Sequence, residues 1–325
     1  MMQYTVLGRT GVTVSRLCFG TMSCGAEADE EMSSKMFQRC REAGINFFDC
    51  ADVYSDGRAE EILGRCIATC RDELVLISKV CGPMGDDPNA RGLSRRHITA
   101  AVEASLKRLK TDRLDIYFAH KFDGATDLEH TLRTFDDLVR DGKILYPAVS
   151  NWAAWQIATA LGISKSQKLA RFECMQPMYN LAKRQAETEL LPLAEAENIG
   201  VIPYSPMGGG LLSGKYGVDY KPDSGRLLER DMYAKRYSLD QYFETAQRFT
   251  AHAHEQGVAP ASLAVAWVMA HPAVTAPIIG ARNLEQLESS LASVEIDMTP
   301  EWRAEIAALS PAPPSATDRL EETIG

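Results

Sequence analysis

The stretch "REAGINFFDCA" (41–51) joins a charged helix end to an apolar strand through Gly44, and this pattern recurs along the chain. "VRDGKILYPAVS" (139–150) and "AENIGVIPYS" (196–205) repeat it, each with a glycine that can adopt positive φ at the junction. Further short apolar runs, among them "LVLISKV" and "LDIYFAH", alternate with amphipathic helical patterns. Together these make about eight strand–helix units, which favours an α/β fold, a closed parallel (β/α)8 TIM barrel.

An open doubly wound sheet is the alternative, but it normally carries G-x-G-x-x-G after its first strand, and "CFGTMSCG" (18–25) does not match. The opening run "QYTVLGRTGVTVSRLCFGT" (3–21) predicts a β-hairpin that leads into a strand. Ser94 is the expected N-cap of a helix. We expect one domain over residues 1–325, with long loops at 82–92 and 217–237 and a mobile tail at about 309–325.

Composition excludes several classes of function. The net charge of −9 and the pI near 5.3 argue against nucleic acid or an acidic membrane as a general partner. No apolar run is long enough to span a membrane, and the start "MMQYTVLGRTG" lacks the features of a signal peptide. The eight cysteines form no C-x-x-C pair and predict reduced thiols in a cytoplasmic protein, with no metal site.

Polar side chains end the apolar runs one after another. Because all strands of a parallel barrel end on the same side, these residues are expected to meet at one active site. The strand ends carry, in chain order, Asp49, Lys79, His120, Ser150 with Asn151, Gln176, and Tyr204 with Ser205.

Tyr54 follows Asp49 on the loop that leaves the same strand. A phenol with an ordinary pKa of about 10 is a weak acid at neutral pH, and we expect the ammonium of Lys79 to lower it. Asp49 would hold Lys79 charged, and His120 would orient a carbonyl oxygen beside Tyr54. Taken singly, the Asp49–Lys79 pair could be a structural ion pair and His120 a structural histidine; the combination favours catalysis.

The segment "FFDCADVYSDGRAEEILG" (47–64) resembles the D-x-A-x-x-Y region of the aldo-keto reductases. "ISKV", "YFAH", "VSN", "QPMYNL", "YSPMGGGLLSGKY" and "IIGARNLEQLESSL" follow in that family's order, from about residue 3 to residue 295. The branch that it resembles includes potassium-channel β subunits and bacterial aldo-keto reductases. The resemblance implies a barrel closed at its base by the hairpin and a nicotinamide cofactor across the opposite face.

The resemblance also implies roles for single residues. Asp49, Tyr54, Lys79 and His120 match the family's catalytic tetrad, with Tyr54 the proton donor in carbonyl reduction and the base in alcohol oxidation. Ser150, Asn151 and Gln176 match the residues that bind the nicotinamide carboxamide, and Tyr204 the ring that stacks on the nicotinamide. The remaining cofactor positions that it implies are Gly20, Thr21, Ser205, Pro206, Met207, Gly210, Leu211, Lys215, Gly280, Arg282, Gln286 and Ser290.

The run "SPMGGGLLSGKY" (205–216) contains the P-loop spacing G-x-x-x-x-G-K, but Tyr216 stands where a P-loop has Ser or Thr. It resembles instead the family's loop over the cofactor pyrophosphate. Arg282 is the candidate for binding a 2′-phosphate, since a guanidinium fork suits a phosphate dianion. This favours NADPH over NADH, with NADH as the alternative, and the substrate would be a small carbonyl compound or alcohol.

The chain departs from the family pattern at two positions near the site. Pro147 removes a hydrogen-bond donor from a central strand, and Phe122 replaces a proline common after the catalytic histidine. Candidates for an apolar substrate pocket are Met22, Cys24, Met84, Trp152, Tyr233 and Tyr237.

Two other functions remain open at this level. Lys79 could form a Schiff base, as in a class I aldolase, or the chain could be a cofactor-sensing binding subunit of low turnover. The sequence leaves the oligomeric state open.

Overall fold

Ten strands and twelve α-helices make up the computed structural model, which describes residues 1–317 and 319. The strands are β1 Tyr4–Val6, β2 Thr13–Ser15, β3 Cys18–Gly20, β4 Phe47–Asp49, β5 Val75–Val80, β6 Leu114–Ala119, β7 Ile144–Ser150, β8 Cys174–Gln176, β9 Gly200–Val201 and β10 Ile278–Ile279. The helices are α1 Glu30–Glu42, α2 Arg58–Cys66, α3 Arg95–Leu109, α4 Leu128–Arg140, α5 Ala154–Gln167, α6 Leu190–Glu197, α7 Arg226–Glu229, α8 Asp231–Arg236, α9 Asp240–Glu255, α10 Pro260–Met269, α11 Leu284–Leu291 and α12 Pro300–Ala307.

The eight strands β3 to β10 form one parallel sheet that closes on itself. Strands β3 to β9 pair in chain order, and β10 pairs with β3. The last gap, between β9 and β10, is bridged by hydrogen bonds from Thr275 N to Val201 O (2.8 Å) and from Ile278 N to Pro203 O (2.9 Å). The predicted (β/α)8 barrel is therefore confirmed.

Strands β1 and β2 form the predicted antiparallel hairpin at the base of the barrel. Leu7 and Val14 of this hairpin are fully buried and belong to the apolar cluster inside the barrel, together with Phe47, Ile77 and Phe118 of the barrel strands. The hairpin thus plugs the end of the barrel opposite the strand ends that carry the polar side chains.

The helix-to-strand glycines divide into two kinds. Gly44 and Gly142 adopt positive φ, 87° and 71°, as expected at a helix end. The same expectation is wrong for Gly200, because Asn198 takes the left-handed conformation there (φ 49°) and Gly200 already lies in β9. A Cβ atom on Gly200 would lie 2.3 Å from Cδ1 of Leu7, so this glycine makes room for the hairpin instead.

Helix α3 begins as predicted, with the Ser94 hydroxyl accepting a hydrogen bond from His97 N (3.3 Å). Pro147 lies in β7 without breaking it. Its carbonyl accepts from Glu173 N (3.0 Å), so its nitrogen also faces the β8 side, one residue before the first β7–β8 pair, Ala148 with Cys174. The missing donor therefore falls where the ladder has not yet begun.

The long segment 217–237, expected as a loop, contains the short helices α7 and α8 and is called the cap below. At the C-terminus, Thr188 Oγ1 donates to Pro314 O (3.2 Å), which ties residue 314 to the barrel. The expected mobile tail extends beyond this point into residues 318 and 320–325, which lie outside the described residues. Within the described part of the chain, no helix has the length and apolar character needed to cross a membrane.

Candidate active site

A cavity of about 740 Å³ lies at the carboxyl ends of the barrel strands, between the strand ends and the cap. Asp49, Tyr54, His120, Gln176 and Tyr204 all line it, although they come from five separate parts of the chain. Their convergence follows from the parallel barrel, which brings every strand end to one face.

Lys79 lies behind this wall, at the end of β5, with its side chain fully buried. Its ammonium donates to the carboxylate of Asp49 (2.7 Å), to the carbonyl of Cys50 (2.8 Å) and to the hydroxyl of Tyr54 (3.1 Å). These three acceptors satisfy all three N–H groups of the ammonium. The arrangement fixes Tyr54 with its hydroxyl at the cavity wall.

Protonation states follow from these contacts. Burial alone would lower the pKa of Lys79, but Asp49 and Tyr54 raise it above its ordinary value, so the ammonium persists. Burial raises the pKa of the Tyr54 phenol, and Lys79 opposes that shift without overcoming it. The expectation that Lys79 makes Tyr54 more acidic than usual is therefore wrong for the protein alone, because desolvation outweighs the single nearby cation.

His120 stands beside Tyr54, with the two rings edge to face and their centroids 6.0 Å apart. Burial, aided by Lys79 and Lys121, lowers the pKa of His120 to about 3. The imidazole is neutral at physiological pH, so it can hydrogen-bond to a carbonyl oxygen but is not itself a cationic acid. Tyr54 and His120 together frame a position for one oxygen atom.

Amide and hydroxyl side chains form a hydrogen-bonded chain next to this pair. Tyr204 donates to Asn151 Oδ1 (2.8 Å), Asn151 Nδ2 donates to His120 O (3.0 Å), and Ser150 donates to Gln176 O (3.0 Å). Gln176 Nε2 donates to Asp49 Oδ1 (2.9 Å), and its Oε1 has no partner among the described residues. A free amide acceptor at the cavity wall suits an incoming N–H donor.

The backbone is strained at two of these positions. Asn151 and Ser205 adopt left-handed φ angles of 59° and 57° directly after β7 and Tyr204. Such conformations in residues other than glycine concentrate at functional sites.

The glycine-rich run after β9 is not a P-loop. Residues Leu211–Lys215 form a π-type turn, and Tyr216 continues as extended chain (φ −129°), so no helix begins at the G-K sequence. A P-loop needs that helix, because its N-terminus binds the phosphates. Gly209 and Gly210 instead adopt positive φ along the cavity wall.

Most residues predicted for cofactor binding line the cavity; four predicted site residues do not. Besides Lys79, these are Thr21 and Leu211, whose side chains are buried, and Ser290, whose hydroxyl is turned to Gln286 O (3.4 Å). The predicted cofactor residues that line it are Gly20, Ser150, Asn151, Gln176, Tyr204, Ser205, Pro206, Met207, Gly210, Lys215, Gly280, Arg282 and Gln286.

The sequence patterns missed the basic side chains that the cap contributes. Arg226 and Arg236 line the cavity, as does Lys121 next to His120. The cap carries no periodic pattern that would have predicted its position. Its basic content and the run "DSGRLLERDMYAKR" (223–236) were the available signal.

Two of the six candidates for an apolar substrate pocket line the cavity. Met22 and Tyr233 line the cavity, whereas Met84, Cys24, Trp152 and Tyr237 do not. Phe122 also packs away from the cavity wall, edge to face on Trp152 at 4.9 Å between ring centroids.

A buried acidic cluster lies next to the loop of Tyr54. Glu60 accepts from Arg108 Nε (2.7 Å) and from the hydroxyl of Ser78. Asp52, fully buried two residues before Tyr54, accepts from Val53 N (2.7 Å), and its Oδ2 has no hydrogen-bond partner among the described residues. Burial, together with Glu60, raises the pKa of Asp52 to about 7.

Among the described residues, no group of three or more His, Cys, Asp or Glu is placed to hold a metal ion. All eight cysteines are free thiols, and burial raises the pKa of Cys50 and Cys81, the two that flank the site.

Comparison with known proteins bears on this geometry. The sequence model of the "Aldo/keto reductase family" matches residues 16–311. The chain belongs to the aldo/keto reductase family. Among similar proteins, an uncharacterized oxidoreductase of Bacillus subtilis, YrpG, is 37% identical over 97% of this chain and 98% of its own length. A probable voltage-gated potassium channel subunit beta of Arabidopsis thaliana is 36% identical over 91% and 92%. A versiconal hemiacetal acetate reductase of Aspergillus parasiticus is 30% identical over 92% and 94%.

This aldo/keto reductase therefore has relatives of two kinds, proteins named as oxidoreductases and proteins named as channel subunits. Family membership and the relatives named as oxidoreductases support carbonyl reduction as the general activity.

Proposed function

We propose that this chain is a single-domain NADP(H)-dependent oxidoreductase that interconverts an aldehyde or ketone with its alcohol by hydride transfer. The observation that carries the proposal is the contact chain from Asp49 through Lys79 to the hydroxyl of Tyr54, which ends at the cavity beside His120. A fixed proton donor next to a neutral hydrogen-bonding imidazole is the arrangement that carbonyl reduction needs.

The cavity residues fit a nicotinamide dinucleotide, which when bound supplies the hydride. Gln176 Oε1 is a free acceptor for the carboxamide, with Ser150 and Asn151 beside it, and Tyr204 offers a ring for stacking. Gly209 and Gly210 present backbone to the pyrophosphate, and a Cβ on Gly209 would lie 2.7 Å from Cδ1 of Tyr233. The remaining lining residues assigned to the dinucleotide are Gly20, Ser205, Pro206, Met207, Gly280 and Gln286.

Three cations suit the phosphates. Lys215 lies at the end of the glycine-rich run, and Arg282 lies in the segment after β10. Arg226 of the cap also lines the cavity, and its Nε is buried without a hydrogen-bond partner among the described residues. An unpaired buried guanidinium nitrogen is costly unless a ligand completes it, so Arg226 supports an anionic ligand here.

The proton in reduction comes from the hydroxyl of Tyr54. A phenol with an ordinary pKa of about 10 is protonated at neutral pH, and burial raises the pKa of Tyr54 further. The persistent ammonium of Lys79 stabilises the phenolate left after transfer. Neutral His120 holds the carbonyl oxygen in place while Asp49 keeps Lys79 oriented. In the reverse direction the Tyr54 phenolate accepts the alcohol proton.

The Schiff-base alternative is disfavoured by the same contacts. An amine nucleophile must be neutral and must reach the substrate. Lys79 is fully buried, donates three hydrogen bonds, and has a raised pKa because of Asp49 and Tyr54.

A cofactor-sensing subunit of low turnover is the second candidate, because relatives at 36% and 34% identity are named as probable potassium channel β subunits. The rate of turnover distinguishes an oxidoreductase from a cofactor sensor, because a sensor binds the nucleotide but reduces generic aldehydes negligibly.

The test is a fluorescence titration with NADPH and NADH combined with aldehyde reduction, on the native protein and on Tyr54→Phe. Tyr54→Phe should keep nucleotide affinity and lower kcat by on the order of 10²- to 10⁴-fold, since only proton transfer is lost. Tyr146→Phe, at the hairpin end of the barrel, is the matched control and should change neither. Full activity in Tyr54→Phe would refute the assigned proton donor.

Arg282→Ala tests the cofactor preference. It should weaken NADPH on the order of tenfold or more while changing NADH little, because only NADPH offers a 2′-phosphate for the guanidinium. Equal weakening of both nucleotides would contradict the assignment.

A further inference from the structure

The cavity is rich in positive charge although the chain carries a net charge of −9. Five cationic side chains line it: Lys121, Lys215, Arg226, Arg236 and Arg282. The lining carboxylates are Asp49, which is already paired with Lys79, and Glu285. The unbalanced charge at this one place favours an anionic ligand.

The proposed dinucleotide accounts for part of this charge. Lys215, Arg226 and Arg282 lie with the glycine-rich run, the start of the cap and the segment after β10, where its phosphates are assigned. Glu229 already moderates Arg282 at 3.6 Å. Lys121 and Arg236 remain without an assigned anion.

Arg236 is held in place by rings rather than by carboxylates. Its guanidinium lies 5.1 Å from the ring centroid of Tyr233 and 5.9 Å from that of Tyr204. Among the described residues it has no hydrogen bond and no ion pair. Stacking on aromatic faces fixes the plane of a guanidinium and leaves its N–H edges available to a ligand.

Arg236 and Lys121 are each linked to His120, Arg236 through side-chain contacts and Lys121 as the next residue in the chain. Tyr204, under Arg236, donates to Asn151, and Asn151 in turn donates to the carbonyl of His120. Lys121 follows His120 directly, is exposed, and has no ion pair within the described part of the chain. Both cations therefore line the same cavity as Tyr54 and His120.

We propose that the substrates of this site are carbonyl compounds that carry a carboxylate, which Arg236 binds through its N–H edge with Lys121 as a second, exposed cation. The inference rests on the proposed function and adds the substrate class to it. Met22 and Tyr233 line the same cavity and provide apolar surface for the part of the substrate between carboxylate and carbonyl.

A matched pair of substrates tests the proposal: 4-carboxybenzaldehyde and its neutral methyl ester, methyl 4-formylbenzoate, with NADPH as the reductant. The native enzyme should show the higher kcat/KM for the acid, and added salt should reduce the acid-to-ester ratio. Arg236→Gln should lower that ratio on the order of tenfold to hundredfold, chiefly through KM, because a charge-assisted hydrogen bond is lost. Arg236→Lys should restore part of it, and Lys121→Gln should lower it by a smaller factor.

Arg230→Gln is the matched control, since Arg230 is a cap arginine already paired with Glu27 (2.7 Å) and does not line the cavity. It should leave the ratio unchanged. An equal loss for acid and ester in Arg236→Gln, accompanied by weaker NADPH binding, would assign Arg236 to the cofactor and overturn the proposal. A native enzyme that reduces the ester as well as the acid overturns it too but leaves the reductase function standing. Reduction of neither substrate removes both.

Discussion

Lys79 and Arg236 are both cations at the cavity, but the protein holds them in different ways. Lys79 is fully buried on a barrel strand, and three acceptors satisfy its ammonium. Arg236 lies at the end of the short helix α8, with its guanidinium near the rings of Tyr233 and Tyr204 and no hydrogen bond or ion pair among the described residues. The ammonium of Lys79 therefore has all its partners before any ligand binds, whereas Arg226 and Arg236 of the cap have no anionic partner among the described residues.

The strand ends and the cap also differ in how tightly they are packed. Around Lys79, all residues of β4 and β5 and all but one of β6 are buried. The cap exposes Val218, Leu228 and Met232 to 53%, 48% and 53%, and a second cavity of about 420 Å³ separates it from α9. Few buried contacts mean a low local free energy of opening, so we expect the cap to adjust to ligands while the strand ends stay fixed.

The largest effect is expected from Lys79→Met. The substitution leaves the buried Asp49 carboxylate without its cation, and removing one partner of a buried pair costs roughly 3–5 kcal/mol. Urea unfolding should show this loss together with loss of aldehyde reduction. Arg236→Met is the matched control on the cap and should change stability by less than about 1 kcal/mol. Equal losses of stability for the two variants would contradict the stated difference between the strand ends and the cap.

Asp52→Asn tests the ionisation of the buried acidic cluster beside the Tyr54 loop, through the pH dependence of stability. Because the folded protein raises the pKa of Asp52 to about 7, above the ordinary value of an aspartate, the folded state holds this proton more tightly than the unfolded chain. The native protein should therefore lose this part of its stability as pH rises from about 4 to about 7. Asn at this position cannot ionise, so the free energy of unfolding of the variant relative to the native protein should increase over the same range.

Unfolding curves at pH 5 and pH 8 measure this difference, with Glu61→Gln on the exposed face of α2 as the control. A difference between native protein and Asp52→Asn that does not change with pH would show that Asp52 is ionised throughout.

The smallest effect is expected from Glu229→Gln in the cap. Its carboxylate lies 3.6 Å from Arg282 in a partly exposed pair, and such pairs contribute roughly 0–1 kcal/mol. Releasing Arg282 should tighten NADPH binding by less than about fivefold and leave stability unchanged. Calorimetric titration with NADPH checks the first and a melting curve the second. Weaker binding would mean that Glu229 positions Arg282 rather than competing for it.

Sequence patterns predicted which polar residues lie at the strand ends, because these residues follow directly on periodic elements. An apolar run marks each strand, its end marks the polar residue, and a parallel barrel places all ends together. The hairpin, the N-cap at Ser94 and the barrel itself are confirmed for the same reason. Roles for Asp49, Tyr54, Lys79 and His120 stay proposals that the experiments above address.

The cap could not be predicted in this way. Its two helices span four and six residues, too short for a periodic pattern, so periodicity did not place Arg226 and Arg236 at the cavity. The sequence also did not predict that the side chains of Thr21, Leu211 and Ser290 are buried. A residue that is close in sequence to site residues can still point into the core.

By itself the sequence determined the order of strands and helices and the polar residue at each strand end, since both depend on local periodicity and local residue types. Only the tertiary structure decided which groups touch and how they ionise. Gly200 is needed because Leu7 of the distant hairpin packs against it, not because its own turn requires a glycine. The pKa of Tyr54 rises because burial outweighs the effect of Lys79. Both depend on contacts between segments far apart in the chain and on exclusion of water, which exist only once the barrel has closed.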